Sequence, residues 1–290
     1  MNAPLRAGIA LVAILAIAGA AAPLLTAAGI LPSPVEIDLA ARLGSPSLDH
    51  WLGTDDVGRD ALSRILHGAA PAVTVATVAT LVALLLGVPA GALAGLRGGI
   101  WDLTLTRLME ATAALPALPL LLLIFSMVLG GRRTGGASTT ILIAAAIGVT
   151  RWASIARYVR GGIWKARVED YATAVVALGA GRGRLLARHL LPGAIAPALV
   201  SAAFGAGSAV LMESALSFLG LGTQPPAPSW GKMAADAAND PGAWWLLLAP
   251  GLAIATLVIG FNLIAEGIRR GAPGAQATAF AFSRTRATAD

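Results

Sequence analysis

The stretch EDYATAVVALGAGRGRLLARHLLP, from Glu169 to Pro192, decides how the rest of this sequence is interpreted. Charged residues recur through it, whereas the flanking segments 134–150 and 190–212 contain none. Because the flanking segments are apolar and close to the length of a membrane span, the charged stretch between them must lie in water. We therefore predict that residues 169–192 form an elbow of two short helices outside the bilayer, here called the elbow.

The elbow carries local signals for two helices and the turn between them. Asp170 and the acidic residue before it suit the first turn of a helix, because the macrodipole favours negative charge there. The Ala-rich segment 171–178 propagates the helix, and Gly179 can adopt the left-handed conformation that ends it. A second short helix is expected over 184–191, and Pro192 suits the first turn of the helix that follows.

The composition indicates a membrane protein. The chain has 290 residues, of which 57% are hydrophobic and 12% charged, and its mean hydropathy is +0.76. Soluble domains carry about 25% charged residues, so a globular enzyme is excluded. The absence of cysteine excludes disulfides, a thiolate nucleophile and Cys-ligated metals,. The three histidines show no metal-ligand spacing, so we predict neither a catalytic nor a metal site.

Six apolar segments are each long enough to cross about 30 Å of hydrocarbon. We predict an all-α, polytopic membrane helical bundle with six transmembrane helices, at 7–30, 69–96, 111–131, 137–157, 193–212 and 243–265. The first segment has a competing interpretation as a cleaved signal peptide, because Arg6 precedes it and small residues lie near 18–22. The apolar run continues past that point, which favours a retained helix.

The distribution of basic residues predicts the orientation of the chain. With the N-terminus inside, 15 of the 21 Lys and Arg residues fall in cytoplasmic parts, including Arg151, which is expected near the cytoplasmic end of the fourth span. Lys and Arg concentrate in cytoplasmic loops. The elbow and both termini are therefore predicted to be cytoplasmic. The net charge of +6 is accounted for by this topology and does not indicate nucleic-acid binding.

The segment HWLGTDDVGRDALSRILHGA, residues 50–69, lies in the polar stretch between the first two spans. Its apolar positions recur at helical spacing, which predicts an amphipathic helix at the membrane surface with Thr54 or Asp55 as its cap. The recurring positions are Val57, Ala61, Ile65 and Gly68. The acidic and basic residues at 55–60 admit a metal or catalytic interpretation, but helix capping and local salt bridges are the favoured one.

Two further acids lie next to apolar helix. Glu213 opens a segment rich in Gly and Pro, and non-helical backbone at membrane depth is tolerated only where it is buried or lines a cavity. A carboxylate there is paired, protonated or faces water, so Glu213, Ser217 and Gln224 are candidates for a translocation path or gate, with a structural role as the alternative. For Glu110, an interfacial pair with Arg107 is favoured over a functional role.

Three segments carry a resemblance to a known family. The elbow resembles the "EAA" loop of permeases from binding-protein-dependent ABC importers, in which a Gly precedes a Pro by thirteen residues, as Gly179 precedes Pro192. The string beginning at His50 closely matches HxLGTDxxGRDxxSR of the C-type permease of dipeptide, oligopeptide and nickel importers. The string beginning at Glu213 is similar to that family's EAALSFLGLGxQPPxPSWG. The resemblance covers roughly residues 50–270.

The resemblance implies a type I ABC importer permease fold and assigns residues to it. Residues 1–68 would form an N-terminal span and extracytoplasmic loop, 69–270 a permease core with a coupling loop at about 158–191, and 271–290 a flexible cytoplasmic tail. The implied ATPase-coupling residues are Asp170, Thr173, Ala174, Leu178, Gly179, Arg184 and Pro192. The implied extracytoplasmic signature is Gly53, Thr54, Asp55, Gly58, Arg59 and Asp60.

One position in the elbow departs from the family pattern. Thr173 stands where the family usually has Glu, which removes a possible salt bridge. The alternative interpretation of the elbow is a solvated loop that binds nothing.

The resemblance also implies function and partners. The chain would be a permease in the bacterial inner membrane, half of a pore for peptides, nickel complexes or related solutes. Its implied partners are a second homologous permease, an extracytoplasmic binding protein, the lipid bilayer and cytoplasmic ATPase subunits that bind ATP and Mg²⁺. The sequence itself lacks a GxxxxGK[ST] phosphate-binding motif,. The rival class, a secondary transporter, would need buried ionisable residues within its spans, and the predicted spans are nearly free of charge.

Overall fold

A computed structural model describes residues 2–129, 137–224 and 226–271 of the chain. Across these residues the secondary structure is helical, apart from an isolated antiparallel bridge between Thr54 and Asp60. The helices are α1 Ala3–Ala27, α2 Ala61–Arg97, α3 Gly99–Ala114, α4 Ala117–Leu129, α5 Ala137–Arg167, α6 Asp170–Ala177, α7 Arg182–Leu185, α8 Leu191–Phe218, α9 Trp230–Ala237 and α10 Trp244–Gly271. The predicted all-α bundle is confirmed. The predicted tail, 271–290, lies outside the described residues except for Gly271.

Helix α2 is central to the packing. It packs most extensively against α5, while α8 packs against α2, α5 and α10, and α1 packs against α2 and α10. A row of glycines on α2, at Gly87, Gly91 and Gly95, faces α5. A methyl group on Gly87 would lie 2.6 Å from Cβ of Ile155. Small residues at four-residue spacing allow two helices to approach closely in lipid.

Five stretches are long and apolar enough to cross a membrane: α1, α2, most of α5, residues 183–218 and α10. The predicted third span, a single helix over 111–131, is wrong. Instead α3 and α4 form a pair bent by 84° at a break between Ala114 and Ala117. The break lies at Pro116, whose ring excludes it from a helix interior and holds Leu115 in an extended conformation,. Counted as one broken span, the pair brings the total to six.

The segment between α1 and α2 also differs from its prediction. Helix α2 begins at Ala61, and Asp60 is its cap, with its carboxylate accepting from the Ser63 N–H at 2.7 Å. The prediction of a surface helix capped by Thr54 or Asp55 is therefore wrong. Residues 53–60 form a closed loop because Gly53 and Gly58 adopt φ of +70° and +81°, which no helix accommodates,. The helical spacing from residue 61 onward belongs to the membrane span α2.

The elbow is formed by α6, α7 and the start of α8. Its first helix ends before Gly179, as predicted, and Pro192 lies in the first turn of α8. The predicted second helix, 184–191, is divided between α7 and a π-helical turn over Leu186–Leu190 that continues into α8. The elbow is thus joined to a membrane span without a flexible linker.

Candidate functional site

The turn of the elbow is closed by a complete helix-ending motif. Gly179 adopts φ of +82°, its N–H donates to the Val176 carbonyl at 2.9 Å, and the Ala180 N–H donates to the Val175 carbonyl at 3.2 Å. These two bonds are the Schellman pair that satisfies the last carbonyls of a helix and reverses the chain. The reversal carries Leu178 to the tip, where it is 88% exposed.

The elbow has a packed inner side and an exposed outer side. Ala172, Leu185 and Leu190 are buried and join a cluster with Ile163 of α5 and Ala194 of α8. The predicted coupling residues occupy the outer side: the exposed ones are Asp170, Thr173, Ala174, Leu178, Gly179, Arg184 and Pro192. Their role in coupling to an ATPase stays a prediction. A rigid base with an exposed apolar tip is the form of a docking surface.

Two polar contacts fasten the base of the elbow to the bundle. The Arg167 guanidinium donates to the Gly95 carbonyl of α2 at 2.9 Å. Arg160, about two turns earlier on α5, forms a bidentate pair with Asp102 of α3, whose Nη2–Oδ2 distance is 2.9 Å. The Arg160 guanidinium also lies 4.4 Å from the ring centroid of Trp164. Movement of the elbow is thereby linked to α2 and α3.

Glu110 makes an exposed ion pair with Arg107 at 2.9 Å, as the favoured interpretation held. Both residues lie on α3, three positions apart, so the pair is local. Exposed pairs of this kind contribute about 0–1 kcal/mol. Glu110 is therefore accounted for without a functional role.

The loop from Gly53 to Asp60, here called the aspartate loop, is organised by Asp55. This carboxylate is only 2% exposed and accepts from the N–H groups of Val57 at 3.0 Å and Arg59 at 2.9 Å. Its other oxygen pairs with the Arg59 Nε at 2.7 Å and with Arg64 of α2. Capping and local salt bridges are thus confirmed, and no group of three potential metal ligands occurs among the described residues.

The aspartate loop is held to the rest of the bundle by its remaining residues. Asp60 accepts from the start of α2 and contacts His50 Nδ1 at 3.0 Å. The Thr54 hydroxyl accepts from the Gly44 N–H at 2.8 Å and donates to the Ala41 carbonyl. The Trp245 indole of α10 donates to the Thr54 carbonyl at 3.4 Å. The whole predicted signature therefore lies in one closed structural unit at the N-terminal end of α2.

Glu213 lies inside α8 rather than beyond its end. Its carboxylate is 4% exposed, and Oε1 accepts three hydroxyl bonds, from Ser217 at 2.6 Å, Thr223 at 3.0 Å and Ser229 at 3.2 Å. Ser217 Oγ also accepts from the Thr223 N–H at 3.1 Å. The carboxylate therefore holds residues 219–229, here called the return loop, over α8.

The sequence predicted Glu213 and Ser217 as one site but not Thr223 or Ser229. The sequence signal that could have indicated these two residues is a set of hydroxyl side chains in a loop that follows an acid on an apolar helix. Gln224 lies apart from the carboxylate and donates to the Gly220 and Gly222 carbonyls at 3.1 and 3.0 Å. A role of Glu213, Ser217 and Gln224 in a translocation path or gate stays a prediction.

Arg151 is placed differently from its prediction. Helix α5 continues to Arg167 instead of ending near residue 157, so Arg151 lies halfway along it rather than near an interface. Its guanidinium lines a small cavity between α2, α5 and α8 with Thr80, Ser154 and Ser201. Arg151 and Glu213 are therefore ionisable side chains that lie inside the long helices α5 and α8 rather than at their ends.

Comparisons with known proteins agree with this architecture. The sequence pattern of the family "Binding-protein-dependent transport system inner membrane component" matches residues 87–271. The dipeptide transport system permease protein DppC of Alkalihalophilus pseudofirmus is 38% identical over 249 residues, which cover 86% of this chain and 78% of that protein. The oligopeptide transport system permease protein OppC of Bacillus subtilis is 36% identical over 225 residues, covering 77% and 71% respectively.

A solved structure shows the same fold. The inward-facing MetNI methionine ABC transporter aligns with a TM-score of 0.54 at 19% identity, covering 72% of this chain and 96% of the matched one. Together with the family match over most of the bundle, these relatives establish a multi-pass permease component. The chain belongs to the inner-membrane permease components of binding-protein-dependent ABC transport systems.

Proposed function

We propose that this chain is the C-type permease of a peptide importer and forms half of its translocation pore. The relatives that are 36–38% identical to it are named for dipeptide and oligopeptide transport, which favours peptides over nickel complexes. A second homologous permease supplies the other half of the pore. An extracytoplasmic binding protein delivers the substrate, and separate cytoplasmic ATPase subunits bind ATP and Mg²⁺.

The observation that carries the proposal is the geometry of the elbow. Its outer side is exposed and its tip, Leu178, is apolar, while its inner side is packed against α5 and α8. An open groove of about 330 Å³ beside Thr173 and Val176 offers space for a side chain of a docked protein. When the ATPase subunits close, the elbow moves with them, and its contacts to Gly95 and through α8 carry the movement into the spans.

The orientation follows from charge. Arg151 lies within α5 and is left out of the count of loop charges. Of the remaining 20 Lys and Arg residues, 14 belong to segments on the same side of the predicted membrane as the elbow, including Arg269 and Arg270 at the end of α10. The positive-inside rule then assigns the elbow and both termini to the cytoplasm. The aspartate loop and the return loop lie at the opposite, extracytoplasmic end, where a binding protein would dock. In this arrangement Glu213 holds the outer end of α8 next to the path.

Co-purification tests the proposal. The tagged chain is expressed with the ATPase, permease and binding-protein genes that neighbour its own gene, and extracted in several mild detergents. We expect the ATPase and the second permease to co-purify with the wild type. Gly179→Arg should lose the ATPase, because every non-Gly side chain is strained at φ of +82° and this one adds bulk at the tip,.

Gly271→Arg is the matched control. Gly271 ends α10 on the same side of the bundle, and no described residue has an atom within 4 Å of an added Cβ. This variant should retain the ATPase. If the wild type captures no ATPase in any detergent, the proposed coupling of this chain to an ATPase through the elbow fails.

A further inference from the structure

Arg151 lies deep within the membrane-spanning part of the bundle. Its guanidinium packs against Gly205, halfway along α8, where an added Cβ would lie 3.2 Å from Nε. It shares a cavity with Ala83, which lies fourteen residues from the end of α2 at Arg97. At 1.5 Å per residue this is about 20 Å along the helix, within a hydrocarbon core of about 30 Å.

Within the described part of the chain, Arg151 has no counter-charge. No carboxylate there forms an ion pair with it, and the buried acid of the neighbouring helix α8, Glu213, is bonded by three hydroxyls instead. The buried Thr80 hydroxyl, which lines the same cavity, also lacks a hydrogen-bond partner within the described part of the chain. A charged side chain at this depth faces a bundle interior or a water-filled cavity.

The surface beside Arg151 differs from the surfaces that face lipid. Ser154 is exposed next to it on α5, and a stripe of partly or fully exposed residues runs along α8 at three- and four-residue spacing. Its members are Ser201, Phe204, Ser208, Leu211 and Ala215. By contrast, the exposed side chains of the peripheral helix α1 include Ile9, Ile14, Ile17 and Leu24. Helix α8 packs against three other long helices and still leaves this stripe, which includes two serines, uncovered.

These observations identify the wall of the half-pore. Serines and an uncompensated cation disfavour contact with hydrocarbon, whereas a path between two permease subunits supplies water and substrate. The surface formed by Arg151, Ser154 and the α8 stripe therefore faces the path. The cavity at the guanidinium measures about 10 Å³, room for one water-sized group,. It thus fits an oxygen of a carboxylate rather than a whole solute.

We propose that Arg151, flanked by Ser154, Ser201 and Thr80, is a cationic site on the pore wall that binds the carboxylate of a passing peptide. This inference rests on the proposed function, because it takes the substrate to be a peptide with a free C-terminus. A guanidinium binds carboxylates through charge-assisted hydrogen bonds. The adjacent hydroxyls replace water around the second oxygen. With a single cation in the site, the peptide is held briefly and then released.

Cysteine labelling tests the site without reference to transport. The chain has no native cysteine, so Ser154→Cys introduces its only thiol. In the assembled complex, we expect an anionic methanethiosulfonate to react about tenfold faster than a cationic one of similar size, because a guanidinium one helical turn away attracts it. Arg151→Gln should abolish this ratio and Arg151→Lys should preserve it.

Two controls complete the labelling experiment. Arg157→Gln removes an exposed arginine of the same helix, bonded only to the Ala153 carbonyl of its own turn, and should leave the ratio unchanged. Ile17→Cys, on the surface of α1 that contacts lipid, should react with neither reagent. If Ser154→Cys is also unreactive in a complex that retains its ATPase, the surface does not face water and the inference fails while the proposed function stands.

Transport in vesicles tests the ligand. Uptake of Ala-Ala and of its C-terminal amide is measured for the wild type, Arg151→Gln and Arg151→Lys with the same binding protein. The same binding protein is used in every assay, so its own preference between the two peptides does not affect a comparison of variants made with one peptide. We expect Arg151→Gln to reduce uptake of the free acid at least tenfold and of the amide less than threefold, with Arg151→Lys in between.

The outcomes separate the two proposals. An equal loss for both peptides would mean that Arg151 supports structure or pairs with the second permease, which overturns the carboxylate site. If the wild-type complex takes up neither peptide, the proposed substrate class is wrong, while the labelling ratio still reports whether Arg151 makes a cationic path.

Discussion

Replacement of Glu213 measures how firmly the return loop is held over α8. Its Oε1 accepts three hydroxyl bonds at 2.6–3.2 Å in a site with 4% exposure. Hydrogen bonds to a charged group contribute about 1.5–3 kcal/mol each, and each hydroxyl left unpaired in a buried site costs about 1–3 kcal/mol. Because the three bonds share one oxygen and are not additive, we expect Glu213→Ala to lower the free energy of unfolding by about 3–5 kcal/mol.

Glu213→Gln separates charge from shape. The amide keeps an oxygen at the position of Oε1, so the three hydroxyls retain an acceptor, and only the stronger bonding of a charged acceptor is lost. We expect a decrease of about 1–2 kcal/mol. The control is Ser208→Ala on the same helix, because the Ser208 hydroxyl donates only to the Phe204 carbonyl of its own helix. Its effect should be below about 0.5 kcal/mol.

The assay is reversible unfolding of the purified chain in mixed micelles by increasing SDS, combined with cleavage of the return loop by a broad-specificity protease. A loss of 3 kcal/mol that opens the loop raises the cleavage rate by about 150-fold when opening is fast. Cleavage must map to residues 219–229. If Glu213→Ala unfolds like Ser208→Ala and its loop is cleaved no faster than that of the wild type, the anchoring role assigned to this carboxylate is refuted.

Three other substitutions test the elbow, the central helix pair and the aspartate loop. Gly179→Ala should weaken ATPase binding in a pull-down titration about 5- to 30-fold, because the left-handed backbone costs about 1–2 kcal/mol with a side chain. Gly181→Ala, in open space without a positive φ, should leave binding unchanged. Equal losses of ATPase binding in the two variants would contradict this. Gly87→Leu should destabilise the chain by about 1–3 kcal/mol in the same SDS titration by overpacking against α5. Gly251→Leu, with nothing within 4 Å, should have little effect, and a stable Gly87→Leu would mean that α2 and α5 are not tightly packed. Asp60→Ala should lower the melting temperature, because about 1 kcal/mol of helix capping is lost. Asp60→Asn should retain most of the capping energy, since Asn also caps helices. Identical melting temperatures of the two variants would argue against the cap.

The elbow was predictable because its signals are local. An acidic first turn, an Ala-rich helix and Gly179 all act within one or two turns, and the Schellman pair needs only residues 175–180. The membrane spans were predictable for the same reason, since length and hydropathy are properties of a single segment. The packing of Gly87 against α5, by contrast, joins two segments that are distant in the chain, so the partner helix could not be named from the sequence.

The remaining features depend on contacts between distant segments. Hydrophobicity continues through the bend at Pro116, so the segment has the composition of one straight span, and only neighbouring helices decide how the break is accommodated. The aspartate loop has helical spacing in sequence, but Gly58 takes a positive φ where the loop packs on Asp38. Arg151 was assigned to an interface because the end of α5 is set by the elbow's packing and not by hydropathy.

The order of synthesis gives the aspartate loop a further consequence. Its bonds join residues 4, 9, 10 and 13 positions apart, from Arg59–Asp55 to Thr54–Ala41, and closing a loop of about ten residues takes only 10–100 ns. Its contact with Trp245 spans 191 residues, which take about 10–40 s to synthesise at 5–20 residues per second. The outer end of α2 is therefore fixed during translation, tens of seconds before α10 exists to hold it. Each later helix then assembles against a span whose N-terminal end is already ordered.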